Sequence, residues 1–90
     1  MGDTRTTLRL YGSRRSGKTT ILKLIDANYT DKANRLYIVG KDLQSLGQIR
    51  GHIYDLIIVD EANFIDDQLI AGLHACLNIN RGMMILAFCE

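Results

Sequence analysis

Two unbroken apolar runs leave this chain few ways to fold. Tyr54–Asp60 reads YDLIIVD and Met83–Phe88 reads MMILAF. A strand with one wet face alternates apolar and polar residues. These two do not, so both faces of each must be covered. Helical patterns surround them. In Asp66–Leu77, Leu69, Ile70, Leu73, Cys76 and Leu77 share a face, with Asp66 as the cap. In Lys18–Tyr29 the shared face is Ile21, Leu22, Leu24, Ile25 and Tyr29. Thr6–Tyr11 reads as an alternating strand and Arg35–Val39 as a short one. Asp42–Ile49 reads as a weak helix, with Gly47 against it. Strands alternating with helices predict an α/β chain: a parallel sheet of about four strands, flanked by helices on both faces, with right-handed crossovers.

Ninety residues suffice for one small domain, here expected over 1–90. Apolar residues at 47% and charged residues at 23% are ordinary globular usage, which excludes a disordered chain. No apolar run approaches the roughly 20 residues of a membrane span, and no signal-peptide pattern is present. An intracellular protein, neither secreted nor membrane-bound, is expected. Cys76 and Cys89 lack metal-ligand spacing and read as free thiols.

The net charge of +1 conceals an uneven distribution. Residues 1–23 hold Arg5, Arg9, Arg14, Arg15, Lys18 and Lys23 against the single acid Asp3. Residues 55–67 hold Asp55, Asp60, Glu61, Asp66 and Asp67 and no base. One stretch suits anions and the other cations.

The basic stretch contains Gly12-Ser13-Arg14-Arg15-Ser16-Gly17-Lys18-Thr19, followed by Thr20. This is G-x-x-x-x-G-K-[ST], the phosphate-binding P-loop pattern, set between a strand and a helix as that motif requires. The loop must wrap a phosphate closely, so Cβ atoms are unwelcome at Gly12 and Gly17. Its N–H groups and the positive end of the next helix face the anion. Lys18 is expected to reach the β- and γ-phosphates of ATP, and the Thr19 hydroxyl to ligate Mg²⁺. Residues 12–20 are the expected nucleotide-binding set.

The acidic stretch supplies the partner. Asp60 ends an apolar strand at its carboxyl end, where α/β sheets bind ligands, and is expected to hold the Mg²⁺ shell. Glu61 follows as a general base for an attacking water. A glutamate in that position goes with an extra strand between the loop strand and the acidic one. That predicts the sheet order 1-4-3-2, with Met83–Phe88 inside and Cys89-Glu90 on the γ-phosphate side. A polar sensor belongs at that end, although Glu90 reads better as the chain end.

LYGSRRSGKTT together with IRGHIYDLIIVDEANFID resembles the ATPase domain of the large terminase subunit, the viral motor of tailed phages and herpesviruses. The resemblance rests on Arg14 four residues before Lys18, on Gly51 ahead of the acidic strand, and on the phrase DEANFI. It implies ATP hydrolysis with Mg²⁺, and Arg14 stabilising charge on the transferring phosphoryl group, with Arg15 as the substitute. It also implies double-stranded DNA as a partner, a homo-oligomeric ring or a viral packaging protein as neighbour, and the host cytoplasm or nucleus as location. Eleven residues precede the loop and Asp60 lies 42 positions after Lys18, so the likeness is to a shortened form of that domain.

Other readings remain open. Thymidine kinase is similar in joining an SGKTT loop to a DEA-type strand and an RG-apolar strand. There Glu61 would deprotonate a nucleoside hydroxyl. A helicase-like ATPase shares the acids, and a nucleotide-binding module without turnover needs only the cradle. His52 and His74 read as structural. Asn63 reads equally as a γ-phosphate contact and as a turn residue. The tyrosines read as core edges without a base-stacking pattern. Arg9 sits in a strand expected to be central, which implies an open face or a covering partner.

Overall fold

The computed structural model describes residues 3–13, 17–29, 34–43 and 51–89. Four strands form one parallel sheet: β1 (Thr6–Gly12), β2 (Arg35–Val39), β3 (Leu56–Asp60) and β4 (Met83–Cys89). Their order is β1-β4-β3-β2, as the sequence predicts. Two α-helices, α1 (Lys18–Asn28) and α2 (Asp67–Ala75), and two short 3-10 turns, Gly40–Asp42 and Ala62–Phe64, complete the described elements.

The apolar runs behave as their composition requires. Every residue of β3 is buried, and β4 is buried from Met84 to Ala87. Their side chains divide by parity between two layers. Ile57, Val59, Met84 and Leu86 pack with Leu73 of α2 and with Leu77, Leu43, Ala62 and Ile65. Leu56, Ile58, Ile85 and Ala87 pack with Leu22 of α1. Thus α1 covers one face of the sheet and α2 the other.

Local chemistry sets the ends of the helices. Asp66 caps α2, its Oδ1 accepting the Leu69 N–H at 2.9 Å, as the sequence indicates. Gly17 precedes α1 in the left-handed region, at φ 81°. A residue with a Cβ is disfavoured there. Tyr29 is already extended, so α1 stops one residue before the expected end.

Four further expectations need correction. The helix expected to run to Leu77 ends at Ala75, with Cys76 as its C-cap. The third strand begins at Leu56. Before it, Tyr54 makes an isolated bridge to Leu77, and Asp55 pairs with Arg81 at 3.2 Å. The helix expected over Asp42–Ile49 does not start at Asp42. That residue closes a 3-10 turn, and Leu43 is extended, its apolar side chain drawn into the α2 layer. Residues 44–49 lie outside the described residues. Finally, Arg9 is not in a central strand. Among the described residues β1 pairs only with β4, at the sheet edge, and the Arg9 guanidinium lies 5.7 Å from the Phe88 ring centroid. No helix among the described residues is long and apolar enough to cross a membrane.

Candidate functional site

The carboxyl ends of the strands, with the start of α1, enclose a cleft of about 350 Å³. Lys18, Thr19, Tyr37, Lys41, Asp60 and Glu61 are among its lining residues. A parallel sheet points all of its carboxyl ends the same way, so residues distant in sequence converge there.

Lys18 opens α1 and is 8% exposed. Its Nζ donates to the carbonyls of Gly12 and Ser13, each at 2.8 Å, and lies 4.0 Å from Cys89 Sγ. The ammonium is therefore held by backbone oxygens of the last residue of β1 and the residue after it. The left-handed Gly17 starts α1 immediately beyond the loop, and its carbonyl accepts the Ile21 N–H at 3.0 Å.

Across the cleft, Asp60 is 7% exposed and accepts from three donors. Thr19 Oγ1 on α1 donates to Oδ2 at 2.7 Å, Tyr37 OH on β2 approaches the same oxygen at 3.4 Å, and the Glu61 N–H donates to Oδ1 at 2.9 Å. A buried carboxylate needs such partners to offset its lost hydration. The effect is mutual. Burial, then the negative charge of Asp60 and the hydrogen bond to it, push the Tyr37 phenol up to about 12.

Glu61 adopts φ 53° and ψ 45°, the one left-handed non-glycine residue among those described. Its carboxylate lies 3.8 Å from Lys41 Nζ. Gly40 lies against it. A Cβ there would stand 2.2 Å from the Glu61 carbonyl oxygen. The two 3-10 turns that follow β2 and β3 are thus pressed together at their backbones.

The expected residues are therefore mostly gathered. Lys18, Thr19, Asp60 and Glu61 line one cleft, and the Gly12 and Ser13 carbonyls hold Lys18. Thr20 is exposed on α1 and is not among the cleft's lining residues. Arg14, Arg15, Ser16 and Glu90 lie outside the described residues. Cys89 reaches the cleft. Asn63 takes a turn position, its Oδ1 accepting the Cys89 N–H at 3.3 Å. The acidic stretch does not act as one region: Asp55 belongs to the Arg81 pair and Asp66 to the helix cap. The His52 ring packs against Tyr54, and the His74 carbonyl accepts from Arg5 Nη1 at 3.1 Å.

Sequence reading missed Tyr37, Lys41, Lys23, Val39 and Asp42 as cleft residues. A signal was present for the β2 residues. In the order 1-4-3-2, β2 neighbours β3, and the register sets Val39 beside Asp60.

Asp60 and Thr19 offer hard oxygen donors from two elements, which fits Mg²⁺, an ion held by one or two carboxylates plus substrate phosphates. No family model matches the chain, and no curated protein or solved structure matches it.

Proposed function

We propose that this cleft binds a nucleoside triphosphate, ATP in the first instance, and hydrolyses it, as a P-loop NTPase of the terminase-like type. The observation that carries the reading is the convergence of Lys18 and Thr19, just after a left-handed glycine, on Asp60 and Glu61. A phosphate chain requires a buried cation and a helix start, and both lie beside the Gly12–Gly17 connection.

In this reading Lys18 turns its ammonium from the Gly12 and Ser13 carbonyls toward the β- and γ-phosphates. Thr19 and Asp60 would hold Mg²⁺, which when bound supplies charge neutralisation at the phosphates. Glu61 orients a water and takes its proton as the water oxygen bonds to the γ-phosphorus and the bond to the leaving ADP oxygen breaks. The role of Arg14 as a charge-stabilising residue, double-stranded DNA as a partner, and a ring or packaging partner rest on the sequence resemblance.

The test is ATP binding and hydrolysis by the purified chain, with and without double-stranded DNA, with a nucleoside as alternative acceptor. Lys18→Ala is expected to abolish nucleotide binding. Glu61→Gln is expected to keep binding and lose turnover by about 10²- to 10⁴-fold. Undiminished binding by Lys18→Ala would sink the site. Phosphate transfer to the nucleoside would replace hydrolysis with kinase chemistry.

A further inference from the structure

The two acids at the end of β3 are met from β2 and from the 3-10 turn after it by groups that belong to neither sequence motif. Tyr37 OH stands 3.4 Å from Asp60 Oδ2, the oxygen that also receives Thr19 Oγ1. Lys41 Nζ stands 3.8 Å from Glu61 Oε2. Between them Gly40 brings its backbone against the Glu61 carbonyl, at a distance only glycine permits. Tyr37, Lys41 and Glu61 all line the same cleft.

We propose that the carboxyl end of β2 is a positioning arm for the acid pair, Tyr37 orienting Asp60 and Lys41 orienting Glu61. This rests on the hydrolytic reading above and deepens it. When Thr19 leaves Asp60 to ligate a metal, Tyr37 is the side-chain donor that remains on that carboxylate. It keeps the second oxygen aimed as before. Glu61 has a different need. Its backbone sits in a left-handed conformation, and its side chain is 19% exposed. Lys41 limits the directions its carboxylate can take. Lys41 is 59% exposed, so the pair adds little to folding stability. Its removal therefore changes orientation without endangering the fold.

Both residues are positioning residues, and their tests differ. Tyr37→Phe is expected to leave ATP affinity in EDTA unchanged and to raise the Mg²⁺ concentration for half-maximal tightening of binding by about three- to tenfold. Lys41→Met is expected to lower kcat by about three- to fivefold at unchanged KM, with Lys41→Arg restoring it. A third readout needs no nucleotide. The Glu61 amide, which donates to Asp60 Oδ1, should lose hydrogen-exchange protection in both Tyr37→Phe and Lys41→Met. A Glu61 amide unchanged in both variants overturns the arm. So does Lys41→Met raising KM at constant kcat, because Lys41 would then touch phosphate instead. If the wild-type chain shows no turnover while the Glu61 amide responds, the arm stands and the hydrolytic reading falls.

Discussion

Asp60 shows how much one residue's surroundings decide. Its type and place were legible from a run of four apolar residues ending in an acid, because such a run has to be a buried strand and its end has to emerge at the carboxyl edge. Tyr37 was not legible in the same way. Nothing in RLYIV distinguishes a core tyrosine from one that bonds an acid on the next strand, and only the register decides. Burial of that phenol, with the Asp60 charge and hydrogen bond adding to it, predicts a specific pH behaviour. The phenol is raised from its ordinary 10.0 to about 12 in the folded chain, so the folded state holds that proton more tightly than the unfolded one. The resulting stability is complete below about pH 10 and is lost as pH climbs through about 12. A tyrosinate absorbance titration in metal-free buffer should show one tyrosine ionising near pH 12, and Tyr37→Phe should remove that step. If no such late step is present in the wild type, Tyr37 is not buried beside Asp60.

At the scale of elements, both long helices were readable because apolar period and capping chemistry act locally, and the sheet order was readable from Glu61 beside Asp60 and the wholly apolar run of β4. What escaped were the short turns after β2 and β3. A three-residue 3-10 turn leaves no periodicity, and Asp42 with Leu43 mimicked the start of a helix. Their close approach depends on Gly40. A Cβ there would lie 2.2 Å from Glu61 O and 2.9 Å from Glu61 C, both main-chain atoms that cannot swing aside like a side-chain end. Gly40→Ala must therefore push the turns apart or shift β2 along β3. Urea unfolding is expected to show a loss of about 1–3 kcal/mol, of the kind that overpacking causes. Turnover should fall further than stability accounts for, because Glu61 moves with its turn. An alanine variant with wild-type stability would mean that the two turns separate freely and that their contact holds nothing.

For the whole molecule, the sheet is best held in its interior and less well covered along β1, above all at the start of that edge strand. Among the described residues β4 pairs on both sides, while β1 pairs only with β4, and Thr6–Arg9 are exposed. A small domain also buries a smaller share of its surface than a large one, so its core holds less in reserve. Ligand binding should then add a large share of the total stability. Nucleotide joining the end of β1 and α1 to the end of β3 would tie the exposed edge to the buried centre. At Mg-ATP a hundredfold above Kd, binding adds about 2.7 kcal/mol. At about 4–8 °C per kcal/mol for a domain of this size, the melting temperature should rise by roughly 10–20 °C. Lys18→Ala should lose that rise while melting near the wild type without nucleotide, because the two carbonyls that its ammonium bonds belong to the exposed Ser13 and half-buried Gly12, where water can replace it, and its third contact, Cys89 Sγ at 4.0 Å, is a weak one. A rise equal in both proteins would place nucleotide elsewhere on the molecule. Hydrogen exchange of β1 in the same samples would then distinguish a tightened edge from a remote site.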